Sequence, residues 1–248
     1  MRAEVIIPTY NEAENLPKLV SALLSLPLDL SILVVDDGSP DGTGQVADRL
    51  ASERPDRLKV VHRPGKLGLR SAYLDGFKLA FDSGADAVVQ MDADFSHDPQ
   101  KLVEMVAAVQ HSDAAFGSRY VAGGSLDADW PLWRKGLSAF GNTYARTILG
   151  IPLHDLTTGY RIWRRETLLG MPLERIQASG YVFLVEMAYM AHCLDYHISE
   201  VPIYFAERRW GKSKMSFKIQ LEAALKVWQV KWAFRDLRAK GQAARLPV

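Results

Sequence analysis

The chain has 248 residues, with 30 Lys and Arg against 29 Asp and Glu, 48% hydrophobic residues and a single cysteine. That length allows one large core, the near-zero net charge provides no global field for nucleic acid, and Cys193 alone excludes an internal disulfide and a cysteine-based zinc site. No run approaches the roughly 18 apolar residues that span a bilayer, and Met1-Arg2-Ala3-Glu4 has no signal-peptide layout, so a cytoplasmic protein with only peripheral membrane contact is expected.

The first half alternates short β-branched runs with helical patterns. Strands are expected at Val5–Ile7, Ser31–Val35, Leu58–Val61, Ala87–Met91 and Ala114–Gly117, with helices near 12–26, 43–53, 69–83 and 99–111. Each interval is long enough for a crossover, which gives an α/β fold with a mainly parallel sheet and helices on both faces. Beyond residue 120 a loop around Gly123 to Pro131 leads to a helix near 132–149, a strand at Tyr160–Trp163, a helix near 181–194, a strand at Ile198–Phe205 and a long helix near 215–240. Residues 1–214 are expected to form the catalytic part, and 215–248 a basic amphipathic helix and tail that either packs on it or lies at a membrane interface. The stripe Phe217, Leu221, Leu225, Trp228 and Trp232 would be the interfacial face, with Lys218, Glu222, Lys226 and Gln229 on another.

Ligands of such sheets bind beyond the carboxyl ends of the strands, and the acidic motifs lie there. Asp92-Ala93-Asp94 ends the fourth strand, and two carboxylates one residue apart form a hard-oxygen site for Mg²⁺ or Mn²⁺. The second strand runs into Asp36-Asp37-Gly38-Ser39-Pro40-Asp41, where three carboxylates repel one another unless a cationic or hydroxyl-rich group binds; Asp37 is placed to accept from a base or ribose. The first strand runs into Pro8-Thr9-Tyr10-Asn11-Glu12. Asn11 and Glu14 fit a helix cap, which leaves Tyr10 and Glu12 to face a ligand. Gly42-Thr43-Gly44-Gln45-Val46-Ala47 matches a loose dinucleotide fingerprint, but it follows the wrong strand and its neighbouring acids would repel a pyrophosphate. Lys66-Leu67-Gly68-Leu69-Arg70 is either a solvated basic turn or a phosphate-approaching one. Arg134, Ser138 and Asn142 share one helix face, which suits an oxyanion or is an ordinary polar stripe. The loop Phe205 to Lys214 combines glycine, aromatics and bases and suits a lid over polyphosphate. Of the six histidines only His97 lies near the acidic site.

Taken in order, Pro8–Glu12, Val34–Thr43, Lys66–Tyr73, Met91–Pro99, Gly117–Tyr120, Asp155–Arg161, Gly180–Glu186 and Phe205–Lys214 resemble the family 2 inverting glycosyltransferases, and within them the dolichol- or polyprenol-phosphate mannose synthases. The resemblance implies a GT-A fold and a metal-dependent single displacement from GDP-mannose to a polyprenyl phosphate. It implies that Pro8, Tyr10, Glu12, Val35 and Asp37 hold the nucleotide, that Asp92 and Ala93 lie along ribose and sugar, and that Asp94 binds Mg²⁺ or Mn²⁺ with Asp92 close by. Arg208 and Lys214 would clamp the diphosphate, and Arg119, Arg134 and Ser138 would receive the lipid phosphate. One departure is Arg70 in Gly68-Leu69-Arg70-Ser71-Ala72-Tyr73, where the family often carries Gly, a change expected to alter contacts near the donor. Relatives that carry transmembrane helices after the catalytic part differ from this chain, which leaves its membrane attachment open. A UDP-sugar donor and a catalytically silent sugar-nucleotide-binding subunit are the alternative readings; intact Asp92, Asp94, Arg208 and Lys214 argue against the second.

Overall fold

A computed structural model describes residues 1–206 and 217–237, with the side chains of 217–223 excepted. The central strands are β1 (Ala3–Thr9) and β2 (Leu30–Asp36), flanked by β3 (Leu58–His62) and β4 (Ala87–Gln90). β1, β2 and β4 are buried almost throughout, and continuous runs such as Val5-Ile6-Ile7 and Ile32-Leu33-Val34-Val35 serve a sheet covered on both faces. Ile6 joins one core layer and Val5 and Ile7 the other, as a period of two requires.

The connecting helices are α1 (Leu16–Leu24), α2 (Thr43–Glu53), α3 (Leu69–Asp82) and α4 (Leu102–Val109). The seven-stranded sheet is completed by β5 (Ala114–Ser118), β7 (Arg161–Arg164) and β8 (Ile198–Pro202) in the order β3-β2-β1-β4-β7-β5-β8. Only β7 runs antiparallel to its neighbours. β1 pairs in parallel with both β2 and β4, so the strand order reverses between β1 and β4 and opens a crevice at their carboxyl ends. α3 crosses β1 closely at Gly76, where a Cβ would lie 2.7 Å from Ile6 Cγ2.

The expected strand Ile198–Phe205 is broken at Ile203. Pro202 ends the ladder with Ser118, and the chain then switches to a two-stranded sheet of β9 (Tyr204–Phe205) with β6 (Ser125–Leu126), a pair the sequence reading missed along with the short α6 (Arg165–Gly170). The cap expected at Asn11 is also corrected. Asn11 sits at φ 64°, the helix starts five residues later at Leu16, and Asn15 Nδ2 donates to Glu12 (2.8 Å). The turn commits those residues to the loop between β2 and α2, since the amides of Asn11, Glu12 and Ala13 donate to Ser39, Thr43 and Asp41.

α5 (Leu132–Leu149) ends at Gly150 in the left-handed region, and α7 (Tyr181–Cys193) is a core helix. The last helix, α8 (Phe217–Ala233), packs on α5 and α7. Val227, Val230 and Phe234, with Leu237 just beyond, are buried at helical spacing. Leu225, Trp228 and Trp232 of the expected interfacial stripe face outward. One side of this segment docks on the rest of the chain and the other is exposed. No helix among the described residues is long and apolar enough to cross a membrane.

Candidate active site

Of the predicted donor residues, those described lie at or just beyond the carboxyl ends of β1, β2 and β4. Pro8 and Val35 are paired across β1 and β2, and Met91 N–H donates to Ile6 O before the chain turns into Asp92-Ala93-Asp94. Tyr10 follows β1, and the exposed Lys66 places its Nζ 3.7 Å from the Tyr10 ring centre.

The three carboxylates at the end of β2 and in the loop beyond it are satisfied by the chain itself. Asp36 accepts from Thr9 Oγ1 (2.9 Å) and from the amide and hydroxyl of Ser39 (3.0 and 2.5 Å). Asp41 accepts from Thr43 Oγ1 (2.6 Å) and from the amides of Thr43 and Ala13. Asp37 is buried and paired with Arg63, whose Nε donates at 2.6 Å, while the Gly68 amide donates to its second oxygen at 3.1 Å. Arg63 also reaches Ser71 (2.9 Å), Asp75 (3.2 Å) and the Gly68 carbonyl (3.3 Å), and so ties the glycine turn to the carboxylate. The sequence reading overlooked Arg63. Its signal was register: Asp36 pairs with His62, which sets Arg63 beside Asp37. Arg70, a departure expected to alter contacts near the donor, donates to the carbonyls of Ile176 and Gln177.

At the end of β4, Asp94 is buried and accepts from Ser96 N (3.0 Å) and Oγ (2.6 Å), closing a turn in which Phe95 takes φ 59°. Asp92 is half-buried. Its amide points at His97 Nδ1 (3.3 Å), which makes that nitrogen the acceptor and leaves the ring proton on Nε2. His97 is stacked on Tyr160 at 5.0 Å and meets Phe205 edge-on at 5.7 Å. Gly159 keeps space at Asp92, since a Cβ there would lie 3.4 Å from Oδ2. Two hard carboxylates, one of them half open, are the donor type that would suit Mg²⁺ or Mn²⁺. Arg208 and Lys214 lie outside the described residues. The first described stretch ends at Ala206, whose amide donates to Ser96 O at 3.3 Å, beside this acidic turn.

The predicted acceptor residues lie across β7 and β5. Arg119 forks onto Asp155, with Nε at 2.6 Å and Nη2 at 2.7 Å, and Nη2 also donates to Thr157 Oγ1 at 2.7 Å. Burial pushes the Asp155 carboxyl up, and the Arg119 charge and hydrogen bonds outweigh it, so the group sits below the usual carboxylate range. Tyr120 donates to Ser138 Oγ at 2.7 Å. Asn142 Nδ2 donates to the Ser138 carbonyl and to Thr157, so Arg119 and Ser138 belong to one polar cluster. Arg134 stands at the start of α5 with its guanidinium 3.5 Å from the Trp130 ring centre. Tyr120, Asp155 and Thr157 were quoted in the sequence only within longer segments, and Thr157 gave no signal of its own.

One segment joins the two sides. Within Asp155–Arg161, Asp155 and Thr157 hold Arg119, and Gly159 borders Asp92. Arg161, fully buried, holds the segment from beneath by donating to the carbonyls of Leu156, Thr158 and Leu184 at 2.7–3.0 Å. Burial lowers its guanidinium to about 9, which leaves it charged at neutral pH.

The chain is 46% identical over 243 residues to a polyprenol monophosphomannose synthase of Mycolicibacterium smegmatis, covering 97% of this chain and 91% of that protein. It is 44% identical over 242 residues to an undecaprenyl-phosphate mannosyltransferase of Micrococcus luteus, covering 97% and 99%. A dolichol-phosphate mannosyltransferase of Pyrococcus furiosus is 36% identical over 240 residues, 94% of this chain and 64% of that protein. Among solved structures, a mannosyltransferase from Pyrobaculum calidifontis in complex with GDP-mannose and Mn²⁺ superposes with TM-score 0.57 at 20% identity, covering 100% of this chain and 76% of that one. Glucosyl-3-phosphoglycerate synthase of Mycobacterium tuberculosis, with Mn²⁺, UDP-glucose and phosphoglyceric acid, gives 0.61 at 18%, covering 92% and 78%. These likenesses show the GT-A-like fold. The model of glycosyl transferase family 2 matches residues 4–169. This chain is a glycosyltransferase and belongs to glycosyl transferase family 2.

Proposed function

We propose that this protein transfers mannose from GDP-mannose to the phosphate of a polyprenyl phosphate with inversion, giving polyprenyl phosphate β-mannose and GDP. The observation that carries the reading is the Asp155–Arg161 segment, which sets the carboxylates at the end of β4 and the Arg119 cluster on either side of one short stretch of chain. A sugar donor on the first and an anionic acceptor on the second would meet there. The relatives named for polyprenol- and undecaprenyl-phosphate mannosyl transfer support the substrates.

The acceptor is already an anion, so its phosphate oxygen attacks the anomeric carbon without a strong general base. The new C–O bond forms as the bond from that carbon to the diphosphate breaks, and the electron pair leaves with GDP. Pro8, Tyr10, Glu12, Val35 and Asp37 hold the nucleotide, and Ala93 lies along ribose and sugar. Arg119, Arg134 and Ser138 orient the acceptor phosphate, and Arg208 and Lys214 neutralise the departing diphosphate. A bound Mg²⁺ or Mn²⁺, held by Asp92 and Asp94, supplies further charge neutralisation there. Chelation is expected to abolish transfer, with recovery on adding Mn²⁺ or Mg²⁺; full turnover in chelator would remove the metal from the reading.

Neighbours solved with UDP-glucose and with GDP-mannose share this fold, so the fold leaves the donor open. Incubation of the purified protein with a panel of nucleotide sugars and a short polyprenyl phosphate decides it. Labelled lipid is expected from GDP-mannose alone, whereas product from UDP-glucose or UDP-N-acetylglucosamine would move the assignment to that donor.

The lipid acceptor resides in a bilayer, and α5 and α8 offer an adjoining apolar face for it. Leu132 and Trp133 are 84% and 70% exposed, Phe140 is exposed on the same helix, and Leu225, Trp228 and Trp232 are exposed on α8. Trp228 Nε1 donates to Tyr144 OH at 3.0 Å, linking the two helices. Tryptophans beside basic residues suit the headgroup level, in peripheral contact with the cytoplasmic leaflet. Removing α8 would uncover the core around Phe234, so the test is substitution: Trp228→Ser with Trp232→Ser is expected to reduce flotation with anionic liposomes several-fold without unfolding. Unchanged flotation would count against the contact.

A further inference from the structure

Arg119 and Ser138 are linked to each other by two routes. One runs through Thr157 and Asn142: Arg119 Nη2 donates to Thr157 Oγ1 (2.7 Å), and Asn142 Nδ2 donates to that same oxygen (3.1 Å) and to the Ser138 carbonyl (3.2 Å). The other runs through Tyr120. Its ring centre lies 5.3 Å from the Arg119 guanidinium carbon, and its phenol donates to Ser138 Oγ at 2.7 Å. The contacts close a ring that takes in the end of β5, one face of α5 and the segment after Asp155.

The donors of this ring are not all spent. Nε and Nη2 of Arg119 are committed to Asp155 and Thr157, while Nη1 makes no bond among the described residues. A hydroxyl has one proton to give and two lone pairs to accept with. Tyr120 gives its proton to Ser138 Oγ, and among the described residues nothing takes up the proton of Ser138 itself. Burial raises the Tyr120 phenol above its usual value, so it remains a donor across neutral pH. We propose that Tyr120 is a positioning residue for the acceptor: it commits the Ser138 oxygen as its own acceptor and so directs the Ser138 proton to a phosphate oxygen, beside Arg119. The inference rests on the acceptor reading above. In Tyr120→Phe the Ser138 hydroxyl is free to turn its proton to the carbonyl one turn earlier in α5, and the phosphate loses an oriented donor.

Calorimetric binding of farnesyl phosphate, of farnesol and of GDP to the full chain tests this without turnover. Tyr120→Phe and Ser138→Ala are each expected to weaken farnesyl phosphate by about three- to tenfold, the range of one lost hydrogen bond. The double variant should be no weaker than Ser138→Ala alone, because Tyr120 acts through that hydroxyl. Affinities for GDP and farnesol should stay within about twofold of wild type, a change too small for a lost hydrogen bond. Unchanged farnesyl phosphate affinity in either single variant overturns the inference. So do losses that add in the double variant, which would give Tyr120 a role independent of Ser138, and an equal loss of GDP or farnesol, which would mark a general disturbance. Wild-type protein that binds GDP but holds farnesyl phosphate no better than farnesol would instead sink the acceptor reading itself.

Discussion

Asp94→Asn is expected to lower kcat by about 10³-fold, the scale of losing a main charge-stabilising group, while the protein remains folded. The amide is the informative replacement. Asp94 accepts from the Ser96 amide and hydroxyl, and alanine would strip both bonds from a buried turn. Asparagine keeps an acceptor oxygen there and removes only the charge. Its Tm should lie within a few degrees of wild type, and Mn²⁺ titration should show weakened binding. An Asp94→Asn protein with wild-type turnover in the presence of chelator would overturn the metal role. Asp92→Asn should fall in the same direction. Its carboxylate is the more open of the two, so a smaller cost in stability is expected.

The largest effect on stability is expected at Asp155. Asp155→Ala leaves the Arg119 guanidinium buried without its counter-charge, at a cost of roughly 3–5 kcal/mol. For a chain of this size that is on the order of 6–20 °C in Tm. Thermal unfolding checks it, and a change below about 1 kcal/mol would mean that the guanidinium finds another partner or water. The pH dependence has a definite sign. The folded carboxyl lies below its ordinary value of 3.8, so the pair's contribution is complete above that pH and is lost as pH falls through the depressed value. Wild type should therefore lose its advantage over Asp155→Ala only in strong acid. The loss of order at Arg119 should also raise the KM for polyprenyl phosphate more than that for the sugar nucleotide.

Much of this fold was legible because local pattern and tertiary environment agree. The runs Val5–Ile7 and Ile32–Val35 are apolar without alternation because both faces of their sheet are covered, and helix α5 was placed at its observed limits because Pro131 and Gly150 bracket it. Legibility failed where a residue's partner is remote in sequence. Pro202 does not announce that the chain changes sheets, and Asn11 has the composition of a cap although its turn is bonded to Ser39 instead. The last helix carries two apolar faces, and its sequence cannot say that Val227, Val230 and Phe234 would be the side that docks.

The same division holds for the site. By itself the sequence determined which chemistry is available: Asp92 and Asp94 at a strand exit, Arg119 at another and bases after Phe205, because strand ends and charged residue types are local properties. Only the tertiary structure decided how those groups are committed. Asp36 and Asp41 are consumed by neighbouring hydroxyls and amides, Asp37 is shared with Arg63, Arg119 is forked onto Asp155, and Arg70 reaches across to the turn before α7. A hydrogen bond between residues as far apart in sequence as Arg70 and Gln177 depends on how the layers stack, and no local propensity encodes that distance.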